Sequence, residues 1–186
     1  MLTYIVLAVV TLVVVLLVVI ALQPAMFRIE RRATIPAAAA DVFAQVQDLH
    51  KWRSWSPWEE IDPNLQRTYS GAAAGTGAVY EWVGNNEVGS GRMTILDCRP
   101  VEFIRIKLEF FKPFKGLSTA EFTFQPAGDK QTVTTWAMYG PKNFLAKALH
   151  MICNMEKMIG GQFEKGLDNL KSVVANTKST VSAVNI

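Results

Sequence analysis

Hydrophobic side chains follow three rhythms along this chain, and each rhythm predicts a different element. From Leu2 to Leu22 the apolar run is unbroken, rich in Val and Leu, and no charged side chain occurs before Arg28. A helix over those residues spans about 31 Å at roughly 1.5 Å per residue, which matches the roughly 30 Å hydrocarbon core of a bilayer. Residues 76–139 alternate instead, with reversals marked by Gly84, Gly89, Pro100, Pro113, Gly116 and Gly128. Period two places neighbouring side chains on opposite faces of a strand. Ile104, Ile106, Leu108 and Phe110 therefore share one face, while Phe103, Arg105, Lys107 and Glu109 share the other. Ala120, Phe122 and Phe124 continue the inward set, as do Trp136 and Met138 in phase with Thr132 and Thr134. Ala78, Tyr80, Trp82, Met93 and Ile95 complete it. The pattern predicts an antiparallel sheet with one solvated face and one buried, aromatic-rich face.

The third rhythm runs from Asn143 to Val174. Leu145, Ala148, Leu149, Ile152, Met155, Ile159, Phe163, Leu167, Leu170 and Val174 fall on one stripe of a helical wheel. Lys147, His150, Asn154, Lys157, Glu164, Lys165, Asp168 and Lys171 fall opposite. This predicts an amphipathic helix laid across the sheet, with Gly160-Gly161 marking a kink or a close backbone approach. Ahead of the sheet, Phe27 to Ile35 reads as a strand ended by Pro36, followed by helices from about Ala38 to Gln47 and from Leu49 to Trp55. Pro57 and Asp62-Pro63-Asn64 mark a loop.

The N-terminal run reads as a retained anchor and not as a cleaved signal peptide. Residues 1–4 carry no Lys or Arg, the apolar stretch is too long, and Ala21-Leu22-Gln23-Pro24 offers no small-x-small site. Arg28, Arg31 and Arg32 crowd its C-terminal flank and would favour an anionic lipid surface, which predicts a single-pass inner or plasma membrane protein with its domain in the cytoplasm. The expected organisation is an anchor over 1–23, one domain over 26–174 and a flexible tail over 175–186. The 19 basic and 16 acidic side chains give a net charge of +3, scattered without an arm or stripe, so nucleic acid is not an expected partner. Cys98 and Cys153 form no CxxC pair and read as small buried hydrophobes in a reducing compartment.

Several stretches together carry a family resemblance: Trp52-Arg53-Ser54-Trp55-Ser56-Pro57-Trp58 with Asp62-Pro63, Gly75-Thr76-Gly77-Ala78-Val79-Tyr80-Glu81-Trp82, and Gly89-Ser90-Gly91-Arg92-Met93-Thr94-Ile95. The strand Val133 to Gly140, Phe163-Glu164-Lys165-Gly166-Leu167 and Leu170-Lys171 complete the set. The chain after its anchor resembles the START-like helix-grip superfamily of the birch pollen allergen, in its bacterial polyketide cyclase/dehydrase-like SRPBCC branch. That resemblance implies an α+β fold in which a curved antiparallel sheet of about seven strands wraps a long C-terminal helix. Two short helices close one end, and an apolar cavity lies between sheet and helix. Members of the superfamily include lipid and hormone carriers, aromatic cyclases and domains of no known activity, so the fold leaves the reaction open. On this pattern the expected cavity residues are Trp55, Trp58, Tyr80, Trp82, Met93, Ile106, Phe122, Trp136, Met155 and Ile159.

Other residues carry little chemistry. Trp52, Trp55 and Trp58 recur every three residues and read as a plug of core aromatics, with a cavity mouth as the alternative. Met151, Met155 and Met158 read as core before pocket lining. His50 and His150 are the only histidines, with His150 on the solvent side of the wheel, so no triad or metal site is expected. The Gly75-x-Gly77 and Gly89-x-Gly91 pairs lead into strands and read as hairpin glycines, not phosphate loops. Glu156 falls inside the apolar stripe. There it is either a rim carboxylate paired with a strand Arg or Lys, or a desolvated acid/base for an aldol-type cyclisation or dehydration, with Tyr80 and Thr134 as hydroxyl partners. No cofactor is expected. The sequence thus predicts a membrane-tethered domain holding an apolar or amphipathic small molecule, lipid-like or aromatic. A cyclase/dehydratase-like enzyme and a partner-binding domain with a collapsed cavity are the alternatives.

Overall fold

A computed structural model of the chain describes residues 1–128 and 130–184, with side chains described as far as Thr177. The N-terminal run forms one helix, α1 (Leu2–Leu22), in which only Ile20 is buried and which is long and apolar enough to cross a membrane. β1 (Met26–Ile35) and α2 (Ala39–Val46) follow, then two 3-10 turns, Leu49–Ser54 and Pro57–Glu60. Next come β2 (Gln66–Gly71), β3 (Ala78–Val83), β4 (Ser90–Arg99), β5 (Phe103–Lys112), β6 (Gly116–Pro126) and β7 (Thr132–Pro141). α3 (Phe144–Ile152) and α4 (Met155–Val184) close the chain.

The strands form one antiparallel seven-stranded sheet in the order β1-β7-β6-β5-β4-β3-β2. Successive strands from β2 to β7 are neighbours because short turns join them, and β1 returns to pair with β7 from Met26 opposite Pro141 to Ile35 opposite Thr132. Register shifts between Ser90 and Gly91 and between Ile95 and Asp97 bend β4, as bulges do, and help the sheet curve. The inward phase is the one the alternation predicts: Tyr80, Trp82, Ile104, Ile106, Phe122, Phe124 and Trp136 are all buried. α4 lays Phe163, Leu167, Leu170 and Val174 on that face, each large apolar side chain contributing about 1.5–3 kcal/mol on burial. Trp136 stacks on Phe163 with ring centroids 4.3 Å apart and an interplanar angle of 10°. So close an approach needs Gly166, since a Cβ there would sit 2.7 Å from the Trp136 ring and 3.0 Å from Pro57.

Phe103 lies on the outer face yet is buried, because the guanidinium groups of Arg99 and Arg105 sit 4.6 Å and 5.1 Å from its ring centroid. β2 has no counterpart in the sequence reading, its polar residues having masked the alternation. Pro57 does not sit in a loop but opens the second 3-10 turn, where its missing N–H costs nothing.

The largest departure is in the closing helix, which is two helices and not one. Cys153 is extended, and the Asn154 side chain accepts a hydrogen bond of 3.0 Å from the Lys157 N–H, so an Asn cap restarts the chain as α4. The Gly160-Gly161 pair stays helical within α4 and produces the other expected feature, a close approach: the Arg31 guanidinium fills the space a Gly160 side chain would need. With α3 set off from α4, Leu145 and Ile152 leave the buried stripe and are exposed. His150 is not turned to solvent but half-buried, its ring 5.5 Å from that of Phe27. Neither cysteine is a buried hydrophobe: Cys153 is exposed and Cys98 partly so, both as free thiols. Met151 and Met158 are exposed, outside core and cavity alike. α4 continues to Val184, past the Val174 end where a flexible tail was expected, while Asn185 and Ile186 lie outside the described residues.

Candidate functional site

Between the buried face of the sheet and α4 lies a cavity of about 310 Å³, at the lower end of the roughly 300–1,000 Å³ range of small-molecule sites. Alternation along β3 to β7 brings Tyr80, Trp82, Met93, Leu108, Phe110, Ala120, Trp136 and Met138 to its wall. The two 3-10 turns supply Trp52, Ser56, Trp58 and Glu59, and α4 supplies Ile159. Glu87 and Val88 from the β3–β4 turn, with Lys112, Pro113 and Phe114 from the β5–β6 turn, bound one end.

Six of the residues expected from sequence therefore line the cavity: Trp58, Tyr80, Trp82, Met93, Trp136 and Ile159. Trp55, Ile106 and Phe122 are fully buried behind that lining, and Met155 lies outside it. The tryptophan triplet is both plug and wall. Trp55 packs 4.6 Å from Trp52, centroid to centroid, and donates its indole N–H to the Gln45 carbonyl, whereas Trp52 and Trp58 also face the open space. Glu156 is not in the cavity. It is exposed on the first turn of α4, and one of its oxygens lies 2.9 Å from Arg31 Nη2, while Glu164 accepts from Arg31 Nε at 2.5 Å. These two carboxylates, Glu164 first, raise the Arg31 pKa. Glu156 thus takes the rim position with a strand arginine, and its desolvated acid/base alternative loses its premise. Thr134 is fully buried without lining the cavity, and its hydroxyl has no hydrogen-bond partner.

The polar end of the cavity is built from residues the sequence reading passed over. Glu59, on the turn opened by Pro57, accepts a 2.9 Å hydrogen bond from the Tyr80 hydroxyl on Oε1 and a 2.7 Å bond from Arg67 Nε on Oε2. Its side chain is only 8 % exposed and that of Arg67 18 %, so this ion pair is largely removed from water. The Glu59 hydrogen bond is the first cause of a raised Arg67 pKa. Burial, then the neighbouring Glu59 charge, push the Tyr80 hydroxyl well above its ordinary value of 10.0, so it stays a protonated donor at neutral pH. Burial, with Glu59 adding, raises the Tyr69 phenol beside it in the same direction. A signal for Arg67 existed: it shares the inward phase with Leu65 and Tyr69, and an arginine at an inward position requires a carboxylate.

The site therefore joins a long apolar wall to one compact polar group. It can shelter an apolar body, offer a phenolic donor at one end and accept a donor at a carboxylate whose charge Arg67 already balances. Among the described residues no group of three or more His, Cys, Asp and Glu side chains is arranged to hold a metal.

A family model described as polyketide cyclase/dehydrase and lipid transport matches residues 26–175. No functionally curated protein matches the sequence. Among solved structures, an aromatase/cyclase from Streptomyces is 13% identical with a TM-score of 0.60, covering 81% of this chain and 94% of its own. A di-domain aromatase/cyclase of the steffimycin biosynthetic pathway is 13% identical with a TM-score of 0.58, covering 83% of this chain and 52% of its own. A protein of unknown function from Staphylococcus aureus is 11% identical with a TM-score of 0.61, covering 84% and 98%. At these identities the likeness is one of fold.

Proposed function

Because this chain belongs to the polyketide cyclase/dehydrase and lipid transport family, we propose that it is a membrane-tethered domain that binds an apolar or amphipathic small molecule, lipid-like or aromatic. The observation that carries this reading is the cavity of about 310 Å³, apolar along its length and ending at Tyr80 and at Glu59, which Arg67 holds from behind. An open volume of that size also weighs against a collapsed-cavity interaction domain. α1 acts as the anchor in this proposal, with the domain on the cytoplasmic side that the arginine flank favours. Tethering holds the cavity at high effective concentration near ligands dissolved in the membrane.

A cyclase or dehydratase-like reaction is the second reading, and Tyr80 is what favours it: a buried phenol held protonated can hydrogen-bond a substrate carbonyl as charge develops on its oxygen. The full chain, purified from its own host in lipid nanodiscs, is the material for the test. Native mass spectrometry, followed by extraction, should release a stoichiometric hydrophobic passenger, and an empty cavity that rejects a lipid and aromatic panel counts against binding. With a bound aromatic compound in hand, Tyr80→Phe separates the readings. Binding kept and conversion lost indicates catalysis, and no conversion by either form leaves a carrier. Labelling a Gln131→Cys variant, with both native cysteines replaced by Ser, with a membrane-impermeant maleimide in intact cells and in lysed cells tests orientation, because a cytoplasmic domain reacts only after lysis.

A further inference from the structure

Leu96 and Val101 are exposed singly at the β4–β5 end of the sheet, but the largest group of exposed apolar side chains gathers at the other end. α3 contains no buried residue at all, and its Phe144, Leu145, Met151 and Ile152 are exposed, Ile152 to 77%. Phe111, Phe114 and Leu117 are exposed around the β5–β6 turn, Phe114 to 56%. Register shows that the two groups are neighbours. Thr119 pairs with Tyr139, so Leu117 lies level with Pro141, three residues ahead of the start of α3. A Cβ on Gly140 would meet the Leu117 carbonyl, which confirms the proximity.

The same end is where α1 joins the domain. Met26 pairs with Pro141, the Lys142 N–H donates to the Ala25 carbonyl at 2.7 Å, and Lys147 Nζ donates to the Ala21 carbonyl at 2.8 Å. α3 thus packs beside the last turn of α1, at the level where a spanning helix leaves the hydrocarbon. Charge agrees with the position. Residues 110–120 and 141–155 contain Lys112, Lys115, Lys142 and Lys147 and no Asp or Glu. Exposed aromatic and aliphatic side chains flanked by lysines form the face that an interfacial helix or loop presents to anionic headgroups, its lysine stems snorkelling outward. The cavity is bounded here, by Lys112, Pro113 and Phe114 of the turn and Ile159 of α4.

We propose that α3 and the β5–β6 turn rest in the surface of the bilayer that α1 enters, so that the cavity mouth beside Phe114 faces the membrane and its ligand is a membrane-dissolved amphiphile exchanged without passing through bulk water. This rests on the membrane-tethered reading of α1. A second copy of the chain covering the same face is the competing occupant. α1 argues against it, since the anchor fixes this end of the domain at the lipid surface.

The test uses the full chain in vesicles of phosphatidylcholine and phosphatidylglycerol, with nitroxide-bearing phosphatidylcholine as quencher. An environment-sensitive fluorophore is placed on Cys153 in a Cys98→Ser background. It is also placed, with both native cysteines replaced by Ser, at Phe114→Cys, at Leu12→Cys in α1, and at the exposed Gln131→Cys on the far end of the sheet. The expected result is loss of fluorescence at 114 and 153 with shallow nitroxides, at 12 with deep ones, and none at 131. Quenching at 12 without quenching at 114 and 153 overturns the inference and leaves the anchor standing. In that case access to aqueous iodide identifies a domain held off the surface, and shielding from iodide identifies a face covered by a second copy. Absence of quenching at 12 overturns the anchor itself, and this inference with it.

Discussion

Glu59 and Arg67 hold the polar end of the cavity together, and neither is replaceable alone. Removing one member of a largely buried pair leaves the other charge without compensation, which costs more than the pair gains. Glu59→Ala should therefore destabilise the chain by about 2–4 kcal/mol, read as a lower urea midpoint at unchanged slope, while leaving the Tyr80 hydroxyl without its acceptor. Glu59→Gln keeps an acceptor for Tyr80 and should cost less. Arg31, on the opposite strand edge, contrasts with this pair: its carboxylate partners Glu156 and Glu164 are mostly exposed, at 65% and 61%. The sequence marked Glu156 as exceptional from its wheel position, and its partner explains why. An inward wheel angle on the first turn of a helix does not mean burial when the neighbouring strand offers an arginine.

In α4, two adjacent kinds of glycine should respond to alanine in opposite senses. Gly161 has nothing within 4 Å of an added Cβ, so Gly161→Ala should stabilise by about 0.5–1 kcal/mol through helix propensity alone. Gly166→Ala forces a methyl against Trp136 and Pro57 and should destabilise by about 1–3 kcal/mol. Paired denaturation curves decide both. α3 offers a pH test. Burial, with Lys142 adding, holds His150 below its ordinary pKa, so the unfolded chain binds the extra proton over a range that the folded chain does not. Stability should then rise as pH increases from about 5 to about 7.5, and His150→Gln should flatten that part of the profile. The strands were legible because period two is enforced by burial of one face. β2 was not, because an edge strand with Gln66, Thr68 and Ser70 outward shows its inward phase only through Leu65, Arg67 and Tyr69. The split between α3 and α4 was hidden because Asn154 caps by geometry, and an Asn on a polar face reads equally well as helix interior.

For the molecule as a whole, the cavity should be separable from the fold. Ala120 stands on its wall, and Ala120→Phe should occupy much of the roughly 310 Å³ at a cost of no more than about 1–3 kcal/mol. Cooperative unfolding should persist while uptake of an amphiphile, followed through quenching of Trp52, Trp58, Trp82 and Trp136, is lost. If uptake persists in this variant, the ligand binds elsewhere. The four tryptophans make this measurement possible because all of them line the same space.

The sequence by itself determined the apolar N-terminal helix from its unbroken run, and the antiparallel sheet with its aromatic inner face and the amphipathic helical cover from periodicities that burial imposes along the chain. It also named Trp58, Tyr80, Trp82, Met93, Trp136 and Ile159 among the inward residues. Which inward side chains pack solidly and which leave space depends on the curvature of the sheet and on how far Gly166 lets α4 descend. Hence Trp55, Ile106 and Phe122 became core and the others became wall. The pairing of Glu59 with Tyr80, and the packing of α3 beside α1 through Lys147 and Ala21, join residues 21 and 126 apart in sequence, and the Glu59–Arg67 pair spans a turn and a strand start. No periodicity encodes such contacts, so only the tertiary structure decided them.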